Sequence, residues 1–209
     1  MRYKIFDLGL IDYNKALDLQ NEVFESVAKG ELDSALILCR HYPVITLGRS
    51  AKEGNILVDV SLLKKKNIPL YKVRRGGDVT YHGPGQLMVY PVVNLDYFRK
   101  DIHWFLNELE GLAIRVLGRF GIGAHRIDGK AGVWVDDKKI ASIGVAIKHW
   151  ISFHGLSINI KMEDLDNFTL IKPCGMDIMM TSMETVLGEE VAIDKVKEYL
   201  IQDYIFKGD

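Results

Sequence analysis

With 209 residues, 48% of them hydrophobic, the chain is long enough to bury a substantial core, and we expect one domain over residues 1–209. Its 27 basic and 28 acidic residues nearly cancel, and no segment approaches the roughly 20 apolar residues of a membrane-spanning helix, so we expect neither nucleic acid nor a membrane as a partner. The N-terminus lacks the apolar stretch of a signal peptide and only two distant cysteines occur, which favours a cytoplasmic location.

The first half of the chain is predicted to be rich in strands. A helix is expected over Tyr13–Ala28, where apolar residues recur at helical spacing. It is followed by short runs of aliphatic and aromatic residues, most of them bounded by Gly, Pro or Asn, a pattern typical of strands. These predicted strands are Ala35–Cys39, Val44–Gly48, Leu70–Arg74 and Leu87–Val93.

The second half contains the most regular helical pattern, Ile102–Phe120, which is followed by Gly121 as a stop signal. After it, two paired strands are expected around a tight turn at Asp136-Asp137, and then one further strand and two helices. Because helices do not alternate regularly with strands, this order predicts an α+β fold with a mixed sheet. The predicted bounds are Ala131–Val135 and Lys139–Ile147 for the pair, Ile151–Ile160 for the further strand, and about Met180–Leu187 and Ile193–Ile201 for the helices.

The segment from Arg74 to Gln86 holds four glycines and a proline in thirteen positions, so its backbone can turn sharply and approach a ligand closely. Thr80, Tyr81 and His82 place polar groups between the glycines, which a simple turn does not require. We therefore interpret the segment as a binding loop, although a surface hairpin with turn glycines has a similar composition. Its glycines match neither a Walker phosphate loop nor a GxGxxG motif.

The two cysteines differ in their neighbours. Cys39 lies among aliphatic residues of a predicted strand, as expected for a small buried side chain. Cys174 lies between Pro173 and Gly175, in a predicted loop where a substrate can reach the thiol. From this spacing alone, Cys174 is either a nucleophile or a second structural cysteine.

Two further interpretations stay open at this point. Lys139 follows Asp136-Asp137 and Lys138, so by itself it fits the charged, solvated face of a hairpin. No pair of cysteines or histidines has the spacing of a zinc finger or an HExxH helix, which argues against a zinc site. Such a site is nevertheless conceivable from Cys39, His41, His82 and Cys174.

Six segments carry an unusual combination of motifs. They are His41–Gly48, Arg75–Gln86 (RGGDVTYHGPGQ), Gly132–Val135 (GVWV), Lys139–Gly144 (KIASIG), Phe153–Ser157 (FHGLS) and Pro173–Gly175 (PCG). Together they resemble the octanoyl-[acyl-carrier-protein]:protein octanoyltransferase family, and HGPGQ with a later PCG is far more specific than any single segment. The resemblance implies the biotin/lipoyl protein ligase catalytic-domain fold, in which a larger mixed sheet and a smaller sheet are flanked by helices.

The resemblance also implies roles for individual residues. Cys174 is the expected nucleophile, which carries the acyl group as a thioester, and Lys139 is expected to lower the pKa of that thiol and to move protons. Tyr81, Ile143 and Leu156 are candidate walls of an apolar slot, and backbone amides near residues 142–144 or 174–175 are candidate donors to an oxyanion. The full set of expected substrate-binding residues is Arg75, Gly76, Gly77, Asp78, Val79, Thr80, Tyr81, His82, Ser142, Ile143, Gly144, Gly155, Leu156 and Ser157.

The implied reaction moves an octanoyl group from octanoyl-acyl carrier protein to a specific lysine of a lipoyl domain, as the first step of protein lipoylation. The implied acceptors are the E2 subunits of 2-oxoacid dehydrogenases and the glycine cleavage H protein, and neither ATP nor a metal is expected as a cofactor. A set of basic residues forms either a docking surface for these acidic proteins or an ordinary solvated face. These residues are Arg49, Lys72, Arg74, Lys148 and Lys172.

Three alternative functions stay open. An ATP-dependent lipoate or biotin protein ligase has the same fold but needs no cysteine nucleophile, and its lipoate version has three consecutive glycines where this chain has Gly76-Gly77-Asp78. A cysteine-dependent lipoyl amidotransferase shares the covalent step and differs in its donor. A non-enzymatic module that binds lipoylated proteins would tolerate replacement of Cys174 and Lys139.

Overall fold

The computed structural model describes residues 2–173 and 178–206, which form ten strands and five α-helices. The strands are β1 (Tyr3–Ile11), β2 (Ser34–His41), β3 (Val44–Leu47), β4 (Leu70–Lys72), β5 (Val79–His82), β6 (Gln86–Val93), β7 (His125–Ile127), β8 (Lys130–Val135), β9 (Lys138–Lys148) and β10 (Ile151–Asn159). The helices are α1 (Tyr13–Ala28), α2 (Val60–Lys65), α3 (Ile102–Gly118), α4 (Met183–Leu187) and α5 (Ile193–Asp203). No helix of the described ranges combines the length and the apolar character needed to cross a membrane.

The strands form two sheets, which confirms the predicted α+β fold with a larger mixed sheet and a smaller one. The seven-stranded sheet has the order β1-β2-β6-β10-β9-β8-β7, and only its β1–β2 pair is parallel. The three-stranded sheet has the order β4-β3-β5, with β3 and β4 parallel and β3 and β5 antiparallel.

The large sheet is covered on both faces, and the alternation of side chains along β6 shows how. Leu87, Val89 and Val93 point into a core that includes α3 and α5, whereas Met88 and Val92 point into a second core under α1. Every residue of β6 is buried as a result, which explains why the sequence there is a continuous apolar run without polar alternation.

The small sheet has its own core. Ile45 of β3 and Val79 and Tyr81 of β5 pack with Leu63 of α2 and with Phe168 of a 3₁₀ helix at Leu165–Leu170. Residues on the other face of β5 are therefore free to face the large sheet, because neighbouring residues of a strand point to opposite sides.

Most predicted elements are confirmed, with differences at their ends. Helix α1 has the predicted bounds, and α3 ends two residues earlier than predicted, at Gly118. Helix α4 begins at Met183 and not near Met180, because Met180 forms a bridge to Lys139 and Ser182 caps the helix by accepting a hydrogen bond from the Thr185 amide at 3.2 Å. Strands β1, β5 and β7 and helix α2 were not predicted from the sequence.

The end of the described chain closes the larger core. Phe206 is 1% exposed, and its ring lies 5.3 Å from both Phe98 and Phe105. Its carbonyl accepts a hydrogen bond from the Ser34 hydroxyl at 2.6 Å, which ties this segment to the beginning of β2. The segment therefore contributes directly to the stability of the large sheet.

We expect Phe206→Ala to lower the free energy of unfolding by about 3–5 kcal/mol, because it removes a buried aromatic side chain and leaves a cavity. The neighbouring Ile205 is 43% exposed, so Ile205→Ala serves as a control and should change stability by less than about 1 kcal/mol. Urea unfolding followed by circular dichroism measures both values. Equal effects of the two substitutions would contradict the structural role of Phe206.

Candidate active site

A cleft lies where the small sheet meets the middle of the large sheet. It brings together residues of the glycine-rich segment, of β9 and of β10 that are far apart in the sequence. Of the expected site residues, those lining it are Arg75, Gly77, Asp78, Val79, Thr80, His82, Lys139, Ser142, Ile143, Gly144, Gly155, Leu156 and Ser157. The lining also includes residues that the sequence did not single out as site residues, namely Tyr13, Met88, Tyr90, His154 and Pro173.

Arg75 fixes the beginning of the glycine-rich segment. Its side chain is buried, and the guanidinium donates to the Thr46 carbonyl at 2.7 Å and to the Thr46 hydroxyl at 2.9 Å. Gly76 does not line the cleft, but its amide donates to the carbonyl of Val145 in β9 at 2.8 Å. Arg75 therefore connects the segment to β3, and Gly76 connects it to the large sheet.

Asp78 connects the cleft to the chain that precedes Cys174. Its carboxylate accepts hydrogen bonds from the Val79 amide at 2.7 Å and from the side-chain amide of Asn55. The Asn55 carbonyl in turn accepts a hydrogen bond from the amide of Lys172 at 2.8 Å. Asp78 is therefore part of the framework that positions the segment ending at Pro173.

The floor of the cleft is formed by β9 and β10, where Gly144 lies opposite Gly155. A Cβ atom on Gly144 would lie 3.0 Å from Cδ of Arg75 and 3.2 Å from the carbonyl oxygen of Gly76. The absence of a side chain at Gly144 is therefore what allows the glycine-rich segment to approach the sheet so closely.

Tyr81 does not face the cleft, in contrast to its expected role as a wall of an apolar slot. It belongs to β5, which was not predicted, and it points into the core of the small sheet together with Val79. Its hydroxyl donates to the carboxylate of Asp164 at 3.1 Å and accepts from the side-chain amide of Asn167 at 3.0 Å. Ile143 and Leu156, the other two expected walls, line the cleft, and both also pack in the core that includes α3.

Lys139 is buried in the cleft, which contradicts its interpretation as a solvated hairpin lysine. It is 5% exposed, whereas Lys138 is exposed, and its ammonium lies 5.3 Å from the centre of the Trp134 ring. The room for this side chain comes from Gly132, since a Cβ atom there would lie 3.1 Å from Nζ of Lys139. Gly132 also has a φ of +116°, a conformation that disfavours other residues.

Cys174 lies outside the described residues, but the chain on either side of its segment is anchored. Pro173 lines the cleft together with Lys139. On the far side, the carbonyl of Met179 accepts a hydrogen bond from the Lys139 amide at 2.8 Å, and the Thr181 amide donates to the Lys139 carbonyl at 2.9 Å. The main chain of Lys139 is thus bonded to the residues that follow the segment.

Three histidines around the cleft are buried and uncharged. Burial lowers the pKa of His41 and of His154 to about 4, and burial together with the nearby charges of His41 and Arg75 lowers that of His82 to about 3. His41 Nδ1 lies 3.0 Å from the Ile11 carbonyl and must donate to it, so its Nε2 accepts from the Tyr90 hydroxyl at 2.8 Å. The two histidines that line the cleft, His82 and His154, are therefore neutral hydrogen-bonding groups.

Cys39 is fully buried in the core under α1, as predicted, and burial raises the pKa of its thiol. Its sulfur lies 3.7 Å from Nε2 of His41, and the rings of His41 and His82 are 6.2 Å apart. Within residues 2–173 and 178–206, no three His, Cys, Asp or Glu side chains have the arrangement of a metal site.

The expected basic surface is divided. Lys72, Arg74 and Lys148 line a groove next to the cleft, and Lys72 also lines the depression beside the small sheet that contains Arg49. Lys172 lines a third depression near α4, which none of the other four residues lines.

Comparison with known proteins identifies close relatives along most of the chain. The family described as lipoyl protein ligase A/B catalytic domain matches residues 12–205. An octanoyltransferase of Thermoanaerobacter sp. (strain X514) is 44% identical over 203 residues, which are 96% of this chain and 88% of that protein. An octanoyltransferase of Clostridium kluyveri is 46% identical over 167 residues, which are 80% of this chain and 71% of that protein.

Solved structures share the fold at much lower identity. A lipoate-protein ligase A bound with ATP superposes with a TM-score of 0.76 at 20% identity, over 97% of this chain and 84% of that one. A bi-partite lipoate protein ligase from Thermoplasma acidophilum gives 0.73 at 18%, over 97% and 81%. A biotin protein ligase from Aquifex aeolicus gives 0.55 at 10%, over 97% and 68%. At these identities the likeness concerns the fold alone.

The buried neutral histidines predict a loss of stability in acid. In the unfolded chain a histidine takes up a proton below about pH 6.5, whereas His41 in the folded chain does so only near pH 4. Above pH 6.5 each histidine is neutral in both states and does not reduce stability. As the pH falls toward 4, the unfolded chain gains the proton first, so the free energy of unfolding decreases, by about 2 kcal/mol per histidine between pH 6.5 and 5.

We expect His41→Gln to reduce the pH dependence of the free energy of unfolding over this range by close to one proton. The exposed His125 provides the matched control, and His125→Gln should leave the slope unchanged. Urea unfolding at a series of pH values measures the slope. An identical slope for His41→Gln and for the wild type would show that His41 is not held neutral in the fold.

Proposed function

Because this chain belongs to the lipoyl protein ligase A/B catalytic domain family and is an acyltransferase, we propose that it moves an octanoyl group from octanoyl-acyl carrier protein to a lysine of a lipoyl domain. Relatives named octanoyltransferase, which are 39–46% identical over 80% or more of the chain, support transfer of octanoyl or lipoyl groups in general. The carrier-protein donor, the lipoyl-domain acceptors and the covalent step are our proposal.

In the first half-reaction, the Cys174 thiolate attacks the carbonyl carbon of the octanoyl thioester. A new carbon–sulfur bond forms to Cys174, the bond to the carrier's sulfur breaks, and the leaving thiolate takes up a proton. One thioester replaces another, so the exchange is nearly balanced and requires neither ATP nor a metal. In the second half-reaction, the neutral amine of the acceptor lysine attacks, an amide forms and the Cys174 thiol is released.

The single observation that carries this assignment is the position of Lys139. Its side chain is buried in the cleft beside Pro173, and its main chain is hydrogen-bonded to Met179 and Thr181. The two sides of the segment that contains Cys174 therefore converge on this lysine. As an ammonium, Lys139 would stabilise a thiolate, and in its neutral form it would accept the proton that the acceptor amine must lose.

The strand geometry supports one backbone donor for the oxyanion in particular. The carbonyl of Val145 points away from β10, because it accepts the hydrogen bond from Gly76. Alternate residues of an antiparallel strand direct their main-chain groups to the same side, so the Ile143 amide also points away from β10, whereas those of Ser142 and Gly144 point to β10. On that side of β9, Ile143 lies between Ala141, which pairs with β8, and Val145, which is bonded to Gly76, and it lines the cleft. We therefore favour Ile143 as a donor.

We expect the wild-type protein to gain the mass of one octanoyl group when it is mixed with octanoyl-acyl carrier protein in the absence of ATP. Cys174→Ala should abolish the adduct, whereas Cys39→Ala should retain it, because the Cys39 thiol is fully buried in the core. Intact-mass spectrometry measures the adduct, and a lipoyl domain should discharge it.

Two outcomes would contradict the proposal. An adduct that survives in Cys174→Ala would assign the nucleophile to another residue. Acylation of a lipoyl domain that occurs only with free octanoate and ATP would identify the chain as a ligase.

We expect Lys139→Met to slow both half-reactions by about 10²–10⁴-fold, the range typical of general acid–base catalysis. The hydrogen bonds to Met179 and Thr181 involve only main-chain atoms of Lys139, so they do not depend on its side chain. The exposed neighbour provides the control, and Lys138→Met should keep both rates within about twofold, as is usual for a surface substitution. Rapid-quench mass spectrometry measures loading and discharge separately, and wild-type rates in Lys139→Met would exclude the proposed role.

A further inference from the structure

A groove beside the active-site cleft has no role in the chemistry described so far. It lies between α1 and the β9–β10 hairpin and extends to the end of β4, with Phe24, Lys72, Arg74, Lys148 and Phe153 among its lining residues. His154 is the one residue that lines both the groove and the cleft. The two depressions therefore adjoin each other at this residue.

The groove is positively charged, although the chain as a whole carries a net charge of -1. Lys72 and Arg74 lie at and just after the end of β4, Lys148 lies at the end of β9, and all three are exposed, whereas Glu25 is the single acidic residue of the lining. Within the described part of the chain none of the three forms an ion pair with a carboxylate. Their charges are therefore available to an anion that enters from solvent.

Of the adjacent residues Arg74 and Arg75, Arg75 lines the cleft and Arg74 lines the groove. Arg75 is buried and binds Thr46, whereas Arg74 is exposed and points to the groove. Two adjacent residues thus serve the framework of the cleft and the surface of the groove respectively.

The groove also has an aromatic floor. The rings of Phe24 and Phe153 lie 5.7 Å apart in an edge-to-face arrangement, and the Lys148 ammonium lies 5.9 Å from the centre of the Phe24 ring. An occupant of this groove therefore needs an anionic group for the cations and a less polar body for the aromatic rings, and it must reach past His154 into the cleft.

We propose that this groove binds the pantetheine arm of the donor and that Lys72, Arg74 and Lys148 bind its phosphate group, an inference that rests on the proposed function. An acyl carrier protein holds the acyl group as a thioester at the end of such an arm, and a phosphodiester joins the other end to the protein. Arginine and lysine are the side chains suited to a phosphate anion. The arm lies along Phe24 and Phe153, and its thioester enters the cleft beside His154.

The test compares two small donors, octanoyl-pantetheine and octanoyl-4′-phosphopantetheine, which differ only in the phosphate. The readout is the ratio of their kcat/KM values for loading of Cys174, measured by intact mass. We expect the phosphate to raise kcat/KM roughly fivefold to tenfold in the wild type, since exposed ion pairs are individually weak. The ratio should fall close to one in the Lys72→Ala/Arg74→Ala/Lys148→Ala variant, and it should also fall as salt is added.

Two further variants make the result specific. Glu25→Gln removes the only acidic residue of the groove lining and should increase the ratio. Lys65→Ala removes an exposed lysine of α2, which is outside the groove, and should leave the ratio at its wild-type value.

Three outcomes would overturn the inference without touching the proposed function. The first is a wild-type ratio of one, and the second is a high ratio that persists in the triple variant. The third is a triple variant with unchanged loading but slower discharge by a lipoyl domain, which would assign the groove to the acceptor. Failure of both donors and of octanoyl-acyl carrier protein to load Cys174 would instead reject the proposed function itself.

Discussion

The architecture of the active site depends on the buried guanidinium of Arg75. Burying an arginine is costly unless its donors are satisfied, and here the oxygens of Thr46 satisfy several of them. Because the adjacent Gly76 is bonded to Val145, the same short stretch holds β3 and β9 at a fixed separation. The cleft is the space that this connection leaves between the two sheets. Arg75 therefore acts first as a structural residue, although it also lines the cleft.

A second consequence of this arrangement is a site with little net charge along its walls. Burial keeps His41, His82 and His154 neutral, and it also raises the pKa of Tyr13 to about 12. The charged side chains of the lining are Arg75 and Lys139, which are buried, and Asp78, whereas further cations lie outside the cleft in the neighbouring groove. A charge inside such a site interacts strongly with a reacting group, because little water screens it.

The sequence predicted the fold class and the segments that form the cleft, because apolar periodicity and unusual motifs are local signals. It did not predict β1, an edge strand with a bulge between Asp7 and Leu10 and with charged residues that interrupt the apolar pattern. It also did not predict β5, whose flanking glycines suggested a loop and whose extended form is fixed by pairing with β3. The wrong orientation of Tyr81 followed from this, since alternation along β5 separates it from Thr80 and His82.

The burial of Lys139 could not be predicted from its neighbours, which are charged and exposed. It depends on the missing side chain of Gly132 in the partner strand of the hairpin and on pairing with Met180, which is far along the chain. A motif can indicate candidate residues from the sequence, whereas burial is a property of the whole fold.

The anchoring of the chain on both sides of Cys174 also constrains how this protein can diverge. Lys172 is fixed through Asn55 and Met179 through Lys139, so the intervening stretch must span a set distance with a set number of residues. An insertion or deletion within it would displace one anchor from the other. Among homologues, we therefore expect this stretch to vary in composition more readily than in length, whereas exposed loops elsewhere on the chain are free to vary in both.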